Sequence, residues 1–319
     1  MGIFLINIQS FLLLAGQEEL TMPKFAKWGY QIIDMLALGK FHFIFAFLFG
    51  VGASIFLTRL SQKKLSKWVY IRRMTILGII AIGHITLWGG DVLLSYAFCG
   101  FILLFCNKLP LKWIVVIGVF LSFFYDFYIV FSKATNIDFL PSFLDILGIF
   151  KTLGHMMLGF IAFQIGLFQQ EKWIPTIRKA CTLLFVGTVA IWTWSLLIQD
   201  ENLLHAVTFN ISVIPGMLYI GLMILICHTN FGAKYFSIFR SYGKMALTNY
   251  LCQTIIGITL IPVLVNLHFL SVIEVLLVCF FVYVIQILLS NIWFKFFHFG
   301  PIEWLWRSGT YMSIQPFKK

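Results

Sequence analysis

Apolar residues run along this chain in long uninterrupted blocks, and polar residues are confined to the gaps between them. Blocks of that length, lacking the two-residue alternation of a strand, predict helices that cross a membrane and exclude a membrane β-barrel. Runs of sufficient length fall at roughly 2–15, 41–57, 74–90, 91–106, 113–131, 151–168, 180–198, 206–227, 245–266 and 271–294. The third and fourth are separated only at "GGD". The first, "MGIFLINIQSFLLLAG", is shorter than the roughly 20 residues that a crossing needs. It has no basic start and no small-residue cleavage site, so it reads as the second half of a helix rather than a signal peptide.

Two gaps are long. In 16–40, "PKFAKWGYQIIDMLALGK" places Phe25, Trp28, Ile32 and Met35 at helical spacing, which predicts a short amphipathic helix lying on the outer surface. The stretch 132–150, holding Pro141, reads as a second outer loop. No linker, low-complexity tract or soluble domain interrupts the pattern, so residues 1–319 read as one integral membrane domain.

Composition strengthens this reading: 61% of residues are hydrophobic and 11% charged, where a soluble domain carries about 25% charged. The fold class expected is all-α, a polytopic membrane helix bundle with about ten transmembrane helices. Charge sets its orientation. With a cytoplasmic N-terminus, the inner segments collect 18 of the 23 Lys and Arg but two of the 12 acids. Residues 58–73 alone hold Arg59, Lys63, Lys64, Lys67, Arg72 and Arg73. Both termini are therefore expected in the cytoplasm. The net charge of +11 follows from this asymmetry, and no basic, aromatic-interleaved domain offers itself to nucleic acid. The six cysteines lie in or beside apolar runs without a C-x-x-C pair and read as small reduced apolar residues.

Polar groups inside spanning helices are costly and mark candidate sites. "GHITLWGGD" ends the third run with His84, Trp88 and Asp91 at i, i+4 and i+7. Function would make His84 a general base and Asp91 its orienter. On a continuous helix the two would stand about 10 Å apart, too far for one hydrogen bond, although Gly89 and Gly90 leave the geometry open. The structural alternative makes Asp91 the cap of the next helix and bonds His84 to a neighbour. In "YGKMALTNYLCQT", Asn249 and Gln253 share a face and either receive a substrate amide or carbonyl or glue helices together.

Further polar residues have simpler readings. Lys40 reads as an interface anchor beside His42, while His155 follows Lys151 at the outer start of the sixth run and His205 falls in an outer loop. Gly300–Pro301 ends the tenth run, and Glu303 and Arg307 then form an i, i+4 pair in a short interfacial helix flanked by Trp304 and Trp306. Arg73 and Arg307 either bind a phosphate at the inner face or meet anionic lipid. No Cys/His cluster has zinc spacing, and no Walker A loop or G-x-S-x-G elbow occurs, so no metal is expected.

"YIRRMTILGIIAIGHITLWGGDVLLSYAFCG", "GKMALTNYLCQT", "GPIEWLWRSGTY" and "GKFHFIFAFLFGVGA" together resemble the YeiB-like family of bacterial membrane proteins, in order and over nearly the whole chain. The family usually carries a longer first helix with a leucine–arginine–glycine stretch, which is absent here, and Ala46 stands where serine is expected. The chain thus resembles a member with a truncated first helix. The family is grouped with transmembrane acyltransferases. That resemblance implies a cytoplasmic acyl-CoA donor and an acceptor outside the bacterial cytoplasmic membrane. In that frame His84 and Asp91 are catalytic, while Trp88, Asn249, Gln253, Arg73 and Arg307 contact substrate. The competing readings are a transporter of a small polar solute and a scaffold without catalysis. Membrane lipids are expected partners under all three, and homo-oligomers are compatible with each.

Overall fold

The computed structural model describes residues 2–16, 24–135, 137, 144–268 and 270–319, and of 24–27 and 145 the backbone alone. In chain order the helices begin with α1 (Gly2–Leu14), α2 (Lys24–Ala37), α3 (Lys40–Gln62), α4 (Trp68–Ile85) and α5 (Leu93–Cys106). They continue with α6 (Leu111–Thr135), α7 (Leu144–Gln164), α8 (Ile174–Leu197), α9 (Glu201–Asn210) and α10 (Val213–Cys227). The last are α11 (Asn230–Tyr235), α12 (Phe239–Lys244), α13 (Ala246–Leu267), α14 (Val272–Phe296) and α15 (Pro301–Tyr311). Among the described residues, 8 segments are long and apolar enough to cross a membrane, and α1 and α5 are shorter apolar helices. The chain is thus an all-helical polytopic bundle, as its hydropathy pattern predicts.

Several boundaries differ from expectation, each for a local reason. The amphipathic helix forms over Lys24–Ala37, with Trp28, Ile32 and Leu36 exposed and Tyr30, Ile33 and Ala37 buried. Phe25's side chain and Pro141 lie outside the described residues. The expected loop over 132–150 is much shorter, because α6 continues to Thr135 and α7 begins at Leu144. That early start carries Lys151 and His155 well inside a helix rather than to its mouth. The expected run over 206–227 breaks after Asn210, and His205 lies in α9 rather than a loop.

The chain folds as two compact units: Met1–Ala37 with Ile79–Asp91 and Asn230–Lys319, and Leu38–Gly78 with Val92–Thr229. In the first unit, α1 buries Phe4, Ile8, Phe11 and Leu12. Phe11 packs on Trp88 at 4.9 Å, and Phe4 meets Tyr283 of α14 edge-on at 6.3 Å. The Gln9 amide donates to Asp34 at 2.7 Å, tying α1 to α2. The free backbone N–H groups at the start of α13 are capped from α15: Glu303 accepts from Leu247 N at 2.7 Å and Thr248 N at 3.0 Å. A carboxylate there also meets the positive end of the helix dipole.

The second unit is organised by two-faced helices. On α6, Phe120, Phe124, Phe127 and Phe131 are exposed at helical spacing, the pattern of a lipid-facing surface. Its opposite face buries Gly118, Ser122 and Asp126, one turn apart. Helices α3 and α7 approach closely enough that a Cβ on Gly50 would collide with the Met156 carbonyl, and one on Gly159 with the Phe47 carbonyl. Small residues that admit such backbone approach are how membrane helices gain packing without a hydrophobic driving force.

Candidate functional site

Helix α4 stops at Ile85 because the chain folds back on its last turn. The Leu87 and Trp88 N–H groups both return to the His84 carbonyl, at 2.9 and 3.1 Å. Gly89 and Gly90 complete the reversal, and a Cβ on Gly90 would collide with the Trp88 ring. Asp91 therefore comes back to the residue from which a continuous helix would separate it by two turns: its Oδ1 is 2.7 Å from His84 Nδ1. The expectation of a separation near 10 Å fails because it assumes an unbroken helix. Val92 is the N-cap of α5, so Asp91 stands one residue before it.

The pair is deeply enclosed, the His84 and Asp91 side chains being 2% and 0% exposed. The other imidazole nitrogen, Nε2, lies 2.9 Å from Thr254 Oγ1 on α13. The Tyr250 hydroxyl donates to Asp91 Oδ1 at 3.4 Å, and its ring tilts over the imidazole at 5.2 Å. Trp88 presents an edge to His84 at 6.4 Å. A carboxylate against Nδ1 holds the proton on that nitrogen and leaves Nε2 with a lone pair. Thr254 then donates its O–H to Nε2. The arrangement is carboxylate, imidazole, hydroxyl in series, and it can accept a proton at Nε2 while Asp91 stabilises the resulting imidazolium.

Thr254 and Tyr250 escape sequence reasoning, although both stand in the segment that draws attention to Asn249 and Gln253. Their spacing of one helical turn is the signal available there. The structure adds a second one. Thr75, Thr182, Thr193 and Thr259 return their hydroxyls to the carbonyl four residues back, the usual helical resort. Thr254 bonds the imidazole.

Asn249 and Gln253 point into the first unit and are engaged there by protein. Gln253 Nε2 donates to the Tyr242 hydroxyl at 2.9 Å and to Gln286 Oε1 at 2.8 Å. Asn249 Nδ2 donates to Ser290 Oγ at 3.1 Å, and Gln286 Nε2 donates to the Asn249 carbonyl at 3.1 Å. Burial pushes the Tyr242 phenol up to about 12, against the opposing pull of the Gln253 amide, so it remains a neutral hydroxyl. This circuit fastens α12, α13 and α14 together beside the helix face that carries His84's partner residues.

The two arginines expected at the inner face sit on aromatic rings: Arg73 lies 4.8 Å over Phe56 in the second unit, and Arg307 lies 4.7 Å over Phe299 in the first. Glu303 caps α13 instead of serving the expected pair with Arg307. Lys40, expected to anchor at an interface, is 1% exposed and donates to the Thr208 carbonyl at 2.6 Å. Lys151 is buried against Asp126 at 2.6 Å and is not at a helix mouth. Asp126 lies inside the expected span 113–131, where a carboxylate is itself the signal of a buried polar centre.

A family model described as a protein of unknown function (DUF418) matches residues 162–313. The chain is 27% identical to an uncharacterised 39.9 kDa protein encoded beside an amylase in Bacillus acidopullulyticus, over 98% of this chain and 90% of that protein. It is 25% identical to the uncharacterised protein YxaH of Bacillus subtilis, over 100% and 93%. It is 26% identical to the uncharacterised protein YeiB of Escherichia coli, over 99% and 94%. No solved structure matches the chain.

Proposed function

From a chain that is YeiB-like along its whole length, we propose a transmembrane acyltransferase of the bacterial plasma membrane. It would pass an acyl group from cytoplasmic acyl-CoA to a hydroxyl or amine on the outer side: His84 takes the acceptor's proton, the new ester or amide bond forms as the thioester C–S bond breaks, and the proton leaves with coenzyme A as its free thiol. The observation that carries this is the buried series Asp91–His84–Thr254, at 2.7 and 2.9 Å. Asp91 orients the imidazole and stabilises its protonated form. An acceptor either replaces the Thr254 hydroxyl at Nε2 or passes its proton through that hydroxyl; both routes use the same lone pair. Trp88 and Tyr250 wall the imidazole and keep water from it. The phosphates of the donor are assigned to arginine, Arg307 of the first unit or Arg73 of the second, each guanidinium already held flat on a ring. Asn249 and Gln253 hold α13 so that Thr254 meets His84.

The test is acetyl-CoA binding and turnover by the purified full chain. Acetyl-CoA should raise the unfolding midpoint more than free coenzyme A or an unrelated nucleotide, and the rise should be lost in Arg307→Ala or in Arg73→Ala, whichever holds the phosphates. His84→Ala should keep the rise but lose transfer to hydroxyl and amine acceptors. Folded protein that neither binds the donor nor consumes it, yet moves solute across sealed vesicles, would replace this reading with a transporter.

A further inference from the structure

The second unit contains a polar centre for which acyl transfer has no use. Its residues come from five helices and are brought together by the close approach of α3 and α7. Lys151 pairs with Asp126 of α6 at 2.6 Å and reaches Asn210 Oδ1, at the end of α9, at 3.3 Å. Its ammonium also faces the Tyr125 and Phe209 rings at 5.2 and 5.6 Å. His42 of α3 packs against the same Phe209 ring at 5.9 Å. His155 lies one turn beyond Lys151 on α7 and meets Phe43 edge-on at 4.8 Å. Ser212 is the N-cap of α10 and abuts Gly39, the N-cap of α3.

Four polar atoms in this centre have no hydrogen-bond partner among the described residues: His42 Nδ1, His155 Nε2, Ser212 Oγ and Asp126 Oδ1, the last held only by its ion pair with Lys151. His155 is 4% exposed and Ser212 1%. Ser212 stands at the position where a hydroxyl ordinarily caps its own helix, yet its side chain makes no capping bond. Neither does any side chain cap α3. Two helix N-termini, each the positive end of a dipole, thus open where Gly39 and Ser212 meet, beside a buried ammonium. Two buried ammonium groups, Lys40 and Lys151, stand here against one carboxylate, Asp126; of the carbonyls that end α9, Thr208 O accepts from Lys40, Asn210 O accepts from Lys151 and Phe209 O lies against Gly39. A cation would be repelled. An anion would meet the helix ends, an imidazole N–H from each histidine and the serine hydroxyl, all in a low-dielectric interior where such interactions are strong. Half-helix N-termini meeting inside a membrane bundle are suited to anionic groups.

We propose that the second unit binds a small monoanion, a halide or a short carboxylate, among His42, His155, Ser212 and the N-termini of α3 and α10. This site is independent of the acyl-transfer reading and uses none of its residues.

The test uses the purified full chain in detergent, free of halides and carboxylates. Sodium chloride or sodium acetate is added at constant ionic strength, balanced with bulky HEPES anion, and the unfolding midpoint is followed. The midpoint should rise saturably with chloride, acetate or both, and which anion acts identifies the occupant. The half-saturating concentration should increase at least tenfold in His155→Ala and in Ser212→Ala, variants that leave the Lys151–Asp126 pair intact. If His155→Ala does not fold, Ser212→Ala decides alone. No saturable rise with either anion, or an unchanged half-saturating concentration in the folded variants, overturns the proposal.

Discussion

In the first unit His84 has both ring nitrogens engaged, by Asp91 and by Thr254, whereas in the second unit His42 and His155 each keep a buried nitrogen without a partner among the described residues. The same residue type, in the same kind of apolar surroundings, is thus used in two ways. Where every polar atom is satisfied, a buried network fixes one tautomer and one geometry, which is what proton transfer requires. Where polar atoms are left open, each costs about 1–3 kcal/mol, and the centre is poised to take a ligand that satisfies them. The first arrangement is suited to chemistry and the second to binding.

The sharpest way to break this contrast is through turnover. His84→Ala or Asp91→Asn should reduce acyl transfer by about 10²–10⁴-fold, while His42→Ala should leave it within a few-fold; comparable losses from both units would erase the distinction. Stability separates the units next. Lys151→Met leaves Asp126 buried without its partner and should cost about 3–5 kcal/mol, with much of it recovered in the Lys151→Met/Asp126→Leu double variant. Denaturant unfolding in mixed micelles measures this, and a double variant no better than the single would show that the pair is not the cause.

A smaller effect tests the packing that assembles the second centre. Gly50→Ala forces α3 off the Met156 carbonyl and should cost about 1–3 kcal/mol. Gly52→Ala, with nothing within 4 Å of its new methyl, should be neutral in the same assay. Equal costs would mean that helix propensity, not the α3–α7 approach, governs the position. The smallest change expected is Gln253→Leu. It opens the amide circuit of the first unit and should cost about 1 kcal/mol; a loss of donor binding out of proportion to that would return Gln253 to the substrate.

Hydropathy carries most of the architecture, because lipid imposes length and apolarity on a spanning helix whatever its neighbours are. It fails where polarity is mistaken for an end. Lys40 and Lys151 read as mouths of helices since a charge is costly in lipid, but the bundle supplies Thr208 O for one and Asp126 for the other. Asp126 is visible as an acid inside an apolar run, but its partner Lys151 is not, since only the tertiary fold brings α6 and α7 together there. At the candidate site, the residue types and their grouping are legible: His84, Trp88 and Asp91 do gather. Their geometry is not, because a chain reversal at Gly89–Gly90 depends on how the Trp88 ring packs. Thr254 is faint for another reason: a threonine in an apolar helix ordinarily bonds its own backbone, so its one-turn spacing from Tyr250 is the only mark it carries in the sequence.

The Glu303 clasp on α13 bears on how the protein is made. Helix α13 carries Tyr250 and Thr254, yet its first turn is finished by a side chain 55 residues further on. At synthesis rates of about 5–20 residues per second, α13 leaves the ribosome several seconds before its cap exists. During that interval its opening N–H groups must be served by water or lipid headgroups at the membrane surface. The arrival of α15 is therefore the event that locks the hydroxyl-bearing helix in register, and a nascent chain halted short of Glu303 would hold the parts of the candidate site without their alignment.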